Sequence, residues 1–212
     1  TQALVQAAQN RGVTFHFNAT VTEIETQSDP QSHELLRGIR LNYHSTDLDR
    51  PTIPIDWVVI AAGLGSTPLT ASLSQPIAIQ PVLGQALRLQ LPHPHGLPQP
   101  VVTANDIHIV PLNVTDCWVG ATVEMPDDRG EVVADVSLLD RVLHRAISFC
   151  PALSQATIVH QWSGLRPRPH GQSAPIIDRL SGYSNVLLAT GHYRNGVLLA
   201  PATALAIREA IG

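Results

Sequence analysis

The residues with the clearest chemical potential lie between 191 and 203: Gly191-His192-Tyr193-Arg194-Asn195-Gly196-Val197-Leu198-Leu199-Ala200-Pro201-Ala202-Thr203. A strand-like run at 185–190 feeds this polar turn, and an Ala/Leu/Ile-rich segment ending at Ile211 follows it as a helix. Strand, tight turn and helix N-terminus together aim backbone N–H groups at a negative ligand. Gly191 and Gly196 let the backbone approach a ligand closely or take positive φ. Pro201 suits the first turn of a helix, where a missing N–H costs nothing. Such a turn can hold an anion or a cofactor. It is also the ordinary link between strand and helix in any α/β protein, and the residues alone leave both readings open. Other chemistry has weaker signals. His93-Pro94-His95 sits in a proline-rich loop and the remaining histidines are scattered, so no metal site is expected. No Gly-x-Ser-x-Gly elbow is present for a serine nucleophile.

The elements that must carry this turn show two textures. Residues 1–12 are helical in character, with Leu4, Val5, Ala7 and Ala8 on the apolar face. Residues 13–17 and 19–24 read as strands, 26–33 as a polar turn, 36–43 as a half-exposed strand and 46–54 as loop. Residues 55–63 form a largely apolar strand ending in Gly63, the pattern of a buried central strand. A short helix begins near Thr67-Pro68. From Pro81 the pattern changes. Residues 85–91, 106–111 and 117–123 alternate with period two and read as antiparallel strands, the last two as a hairpin. Residues 136–149 form an amphipathic helix. Residues 159–164 read as a strand and 165–178 as a proline-rich loop, before the closing strand and helix.

Composition sets bounds. The 212 residues suffice for one large domain or two small ones. A net charge of −4 with only 14% charged residues excludes a nucleic-acid footprint. No apolar run approaches the roughly 18–20 residues of a membrane span. No basic-then-apolar leader is seen, so a cytoplasmic location is expected. Cys117 and Cys150 have neither metal-like spacing nor the density of a disulfide scaffold.

Six stretches then fall in a recognisable order: Val58-Val59-Ile60-Ala61-Ala62-Gly63; Pro81-Val82-Leu83-Gly84-Gln85; Ile109-Val110-Pro111; Val119-Gly120-Ala121-Thr122; Trp162-Ser163-Gly164-Leu165-Arg166-Pro167; and the Gly191 turn through Thr203. In this order the chain resembles the D-amino acid oxidase family of flavoproteins, with the glycine oxidase branch of thiamine biosynthesis nearest in pattern. The resemblance implies a mixed α/β (α+β) fold, in which a partial FAD-binding, Rossmann-like domain carries an inserted antiparallel β-sheet substrate domain. The implied boundaries are 1–80 for the partial FAD-binding domain, 81–163 for the substrate domain, and 164–212 for a return with the flavin-facing turn and C-terminal helix.

The activity implied is FAD-dependent oxidation of glycine or another small amino acid or amine, yielding an imine, then a keto acid, and hydrogen peroxide. A fixed guanidinium grips a carboxylate with two parallel hydrogen bonds. Arg166 resembles the family's carboxylate-binding position, Arg194 its second arginine, and His108 stands at a substrate-facing position. Val21 is similar to a residue near the adenine of FAD. Gly63 falls near the same cofactor, and Gly191, His192, Tyr193, Arg194, Asn195, Gly196, Val197 and Leu198 fall against the flavin. No side chain is assigned a catalytic step. No cysteine lies between 151 and 212, so FAD would be held non-covalently. Family members open with a Gly-x-Gly-x-x-Gly phosphate-binding turn that this sequence lacks. The expectation is that about 150 family residues are missing or supplied by a partner polypeptide. The isolated chain is then expected to hold FAD weakly or not at all, with a homo-oligomer as one arrangement, and the alternative reading is a catalytically inactive fragment or binding module.

Overall fold

The computed structural model describes residues 1–28, 34–43, 52–94 and 100–212. Parts of the expected turn at 26–33 and loop at 46–54, and His95, lie outside the described residues. The elements are α1 (Gln2–Gln9), β1 (Ala19–Ser28), β2 (Glu34–Tyr43), β3 (Thr52–Pro54), β4 (Val58–Ile60), α2 (Ser66–Ser72), β5 (Ile79–Gln90), β6 (Val102–Ala104), β7 (Ile107–Pro111), β8 (Asp116–Gly120), α3 (Val136–Phe149), β9 (Thr157–Pro169), β10 (Ile176–Arg179), β11 (Val186–Thr190) and α4 (Gly196–Ile211). The fold is mixed α/β. Its sheets run β1-β2-β3, β10-β11-β4 and β6-β7-β8-β5-β9. Among the described residues, no helix is long and apolar enough to cross a membrane.

The chain divides into two compact units. One comprises Thr1–Val59, Asp178–Leu188 and Ile211; the other comprises Ile60–Ile177, Ala189–Ala210 and Gly212. In the first, β1 and β2 pair antiparallel, with Ala19 opposite Tyr43. The main-chain N–H of Val58 donates to Asn185 O at 3.0 Å, and Asn185 Nδ2 donates to Asp56 O at 2.8 Å. Residues 13–17 are not a strand. Gly12 turns the chain at φ +88°, and no described strand pairs with the segment. Strand propensity is realised only against a cross-strand partner.

The second unit has its core on one face of the five-stranded sheet. Alternation along β5, β7 and β8 sends Leu87, Leu89, Ile107, Ile109, Cys117 and Val119 to one side, where Leu139, Val142 and Ala146 of α3 pack on them. Asp135 caps α3 by accepting from the Ser137 N–H at 2.8 Å. The hairpin β7–β8 forms as expected, its loop tied by Asn113 Oδ1, which accepts from the N–H groups of Thr115 and Asp116 at 2.8 Å each.

Three further expectations need correction. The proline-rich loop from 165 is not all loop: β9 continues to Pro169, and β10 occupies Ile176–Arg179. β9 lies at the sheet edge, paired on one side with β5, where prolines can spare their missing N–H. β4 is shorter than the apolar run and lies at the edge of its described sheet, with β11 central. An apolar run by itself does not separate edge from centre. Pro201 sits inside α4, beyond the first turn. The bond it forgoes would reach the carbonyl of Val197, a 95% exposed residue where water can serve instead.

Candidate active site

The sheet face opposite α3 carries the site. Register places His108, Gly120, Ala86 and Trp162 in one row across β7, β8, β5 and β9. The next row is Val110, Trp118, Arg88 and His160. Gly120 and Ala86 form a low floor between taller neighbours; a Cβ on Gly120 would stand 3.0 Å from that of Ala86. Trp118 and Trp162 meet edge to face at 5.7 Å and wall one side. The resulting cavity, about 340 Å³, is lined by His108, Val110, Gly120, Ala86 and the two tryptophans together with Arg166, Tyr193 and Arg194.

Arg166 enters from β9, opposite Val82. Its Nη1 donates to Thr122 O at 3.1 Å and Leu83 O at 3.4 Å. Burial lowers its pKa, with Arg194 adding to the effect and Tyr193 opposing it. A guanidinium stays protonated despite such a shift, so the cavity holds a partly desolvated positive charge. His108 reaches the cavity from β7, with Nδ1 2.9 Å from the Oγ1 of its cross-strand neighbour Thr103.

The Gly191 turn closes the cavity from another element. Gly191 takes φ +73°, and an added Cβ would lie 2.5 Å from Pro169 Cγ. Tyr193 takes φ +52°, and its N–H donates to Pro167 O at 2.9 Å. The Arg168 guanidinium lies over the Tyr193 ring at 5.6 Å. His192 Nε2 and Thr203 Oγ1 are 2.9 Å apart, tying the turn to α4. Arg194 donates through Nη1 and Nη2 to both carboxyl oxygens of Asp106, in the β6–β7 turn. That bonding lowers the Asp106 pKa and raises that of Arg194. Gly63 O accepts from Thr190 Oγ1 at 3.2 Å, which fixes the strand end beside the turn.

The expected residues thus fall into three groups. Arg166, Arg194, His108 and Tyr193 share the cavity. Gly191, His192, Asn195, Gly196, Val197 and Leu198 belong to the turn and the start of α4, and Gly63 is bonded to the strand feeding it. Val21 lies in the other unit, half-buried on β1 opposite Leu41. Sequence reasoning missed Asp106, the two tryptophans as a wall, and the Ala86–Gly120 floor. Alternation was the available signal, because Trp118 must face away from its buried neighbours Cys117 and Val119. Among the described residues, no group of three or more His, Cys, Asp or Glu side chains could hold a metal ion.

The start of α4 fits a flavin ring. Asn195 occupies the N-cap without a side-chain capping bond, so the first-turn N–H groups have no side-chain acceptor there. Val197 and Leu198 beside them are 95% and 79% exposed. An uncapped helix end flanked by apolar side chains suits a flat ring with an electron-rich edge.

A family model described as "FAD dependent oxidoreductase" matches residues 1–210. Glycine oxidase of Geobacillus kaustophilus is 30% identical over 209 residues, covering 99% of this chain and 51% of the relative. The bifunctional protein ThiO/ThiG of Synechocystis is 32% identical over 215 residues, covering 99% of this chain and 29% of that protein. The crystal structure of the Geobacillus kaustophilus glycine oxidase superposes with a TM-score of 0.78 at 27% identity, over 99% of this chain and 52% of the other. The chain spans about half the length of the glycine oxidase it matches.

Proposed function

Because the chain belongs to the FAD dependent oxidoreductase family, we propose that the holoenzyme containing it oxidises glycine or another small amino acid or amine. Bound FAD would supply a two-electron oxidation of the substrate amine to an imine, with oxygen as the final acceptor giving hydrogen peroxide. The imine then hydrolyses to a keto acid and ammonia. The rest is binding and exclusion by this chain. Arg166 grips the substrate carboxylate, and His108 offers Nε2 to the bound substrate. The Trp118–Trp162 wall shields the reacting carbon from water, and the shallow Ala86–Gly120 floor leaves room for a small side chain. Arg194 braces the turn through Asp106. Val197, Leu198 and the N–H groups at the start of α4 would hold the flavin, with Gly63 toward the same cofactor; for Val21 the adenine-side role rests on the family resemblance alone.

The observation that carries this reading is the convergence of Arg166, His108, Tyr193 and Arg194 on one cavity. It also disfavours the alternative of a catalytically silent binding module. In the same reading the flavin is non-covalent, these 212 residues hold it weakly by themselves because they carry no Gly-x-Gly-x-x-Gly turn, and the enzyme works in the cytoplasm for thiamine biosynthesis. The domain plan of 1–80, 81–163 and 164–212 belongs to this reading as well. The test is the visible spectrum of the holoenzyme. Anaerobic glycine should bleach the flavin band at roughly 450 nm, and air should restore it with release of peroxide. A band that no small amino acid or amine bleaches would overturn the assignment.

A further inference from the structure

Arg166 does not set its own position. We propose that Gly84 is a positioning residue for Arg166, and that the buried Glu124 carboxyl fixes the carbonyl wall against which the guanidinium rests. The inference builds on the reading of Arg166 as the carboxylate ligand. Arg166 pairs across the sheet with Val82, and its side chain leans along β5 over Gly84, two residues on and on the same face. A Cβ built on Gly84 would overlap Nη1, Nη2 and Cζ of Arg166. Only a residue without a side chain leaves this bed open. Gly164, directly opposite Gly84, has no such duty: a Cβ there meets nothing within 4 Å.

The wall is built with equal care. Nη1 of Arg166 donates to the carbonyls of Thr122 and Leu83, while Nε and Nη2 make no hydrogen bond to the described residues. That leaves a two-donor edge for a carboxylate. Leu83 and Glu124 exchange main-chain bonds of 2.9 Å. The Thr122 N–H donates to Gln85 O at 3.1 Å, and the Gln85 N–H to Thr122 Oγ1 at 2.8 Å. The Glu124 carboxyl then accepts from the Thr122 hydroxyl, from Gln85 Nε2 at 2.9 Å and from the Asp135 N–H at 2.7 Å. Thr122, Gln85 and Glu124 are 4%, 6% and 6% exposed. A buried polar knot is rigid only when every member is satisfied, and here each donor has its acceptor. Its mechanical output is a fixed Thr122 carbonyl.

A double-mutant cycle in the holoenzyme tests this, with KM and kcat for glycine and a calorimetric Kd for glycolate, which keeps the carboxylate and lacks the amine. Gly84→Ala should raise KM and Kd about tenfold with kcat nearly unchanged, and should add nothing in an Arg166→Ala background. Gly164→Ala is the control and should leave all three constants as they were. If Arg166→Ala weakens both ligands while Gly84→Ala does not, or if Gly84→Ala costs the same in both backgrounds, the positioning role is wrong and the carboxylate role stands. Unchanged constants for Arg166→Ala remove both. Should Gly84→Ala fail to fold, Glu124→Gln takes its place. It puts a donor where three donors converge, so KM should rise only while Arg166 is present; equal effects with and without Arg166 overturn the proposal.

Discussion

Arg194 grips Asp106 with two hydrogen bonds, of 2.9 and 2.8 Å, joining the Gly191 turn to the tip of the β6–β7 hairpin. The arginine expected to meet substrate is therefore already engaged. In the proposed reading Arg194 braces the cavity rim, while Nε and Nη2 of Arg166 make no hydrogen bond to the described residues.

The brace should respond to acid. Bonding to Arg194 holds the Asp106 carboxyl below its ordinary range, against a smaller opposing effect of burial. A depressed carboxylate contributes stability above its unfolded pKa and loses that contribution as pH falls through the folded value. Asp106 is 63% exposed, so the pair is worth at most about 1 kcal/mol. Asp106→Asn should lower the melting temperature slightly at pH 6, and the gap from wild type should narrow as pH falls below the ordinary carboxylate value of 3.8. A gap that does not narrow at all as pH falls below 3.8 would show that the charge pair is not its source.

Arg166→Lys tests the shape of the grip separately from its charge. A lysine keeps the positive charge but cannot meet two carbonyls while presenting a second planar edge. Charge-assisted bonds contribute about 1.5–3 kcal/mol, so KM for glycine should rise between about 10-fold and 150-fold. The small change in kcat expected alongside would mark loss of binding rather than of chemistry. Wild-type KM in the lysine variant would reduce Arg166 to a point charge.

Much of this architecture was legible because periodicity is local. The alternation of Leu87, Leu89, Cys117 and Val119 announced strands, and the 3.6-residue spacing of Leu139, Val142 and Ala146 announced α3. What stayed hidden depended on pairing between distant segments. Asp106 and Arg194 stand 88 positions apart, and only the fold shows that they meet. The bed under Arg166 exists because β5 pairs with β9 in one register; a shift by one residue would put Gly84 on the other face. Pro167 and Pro169 read as loop because nothing in the local sequence announces an edge strand.

Gly191 should be intolerant of a side chain for two reasons that act together. Its φ of +73° is strained for any residue with a Cβ, and that atom would meet Pro169 Cγ at 2.5 Å. Gly191→Ala should cost about 1–3 kcal/mol of stability from the backbone conformation alone. Chemical denaturation would measure it. Gly12→Ala isolates the conformational part, since φ is +88° there but an added Cβ meets nothing within 4 Å. Gly191→Ala should exceed Gly12→Ala, and equal losses would exclude the Pro169 clash.

Cys117 should be chemically silent in the folded protein. It lies 3% exposed between the β5–β7–β8 strands and α3. Burial first, then Cys150 and Asp116, push its thiol pKa up to about 11 from an ordinary value of 9.0. Thiolate is the reactive form, so at pH 8 the folded state holds about 100-fold less of it than the unfolded chain. The sign for stability follows. A raised folded pKa favours the protonated thiol, so its contribution is complete below pH 9 and is lost as pH rises toward 11. Iodoacetamide labelling at pH 8, read by mass spectrometry, should modify the half-buried Cys150 first and Cys117 only when denaturant is added. Cys117→Ser removes the titrating group and should flatten the fall in stability between pH 9 and 11. Native labelling of Cys117 at the unfolded rate would mean that α3 lifts from the sheet faster than the reagent reacts, and the core beneath the cavity would then be the least stable part of this unit.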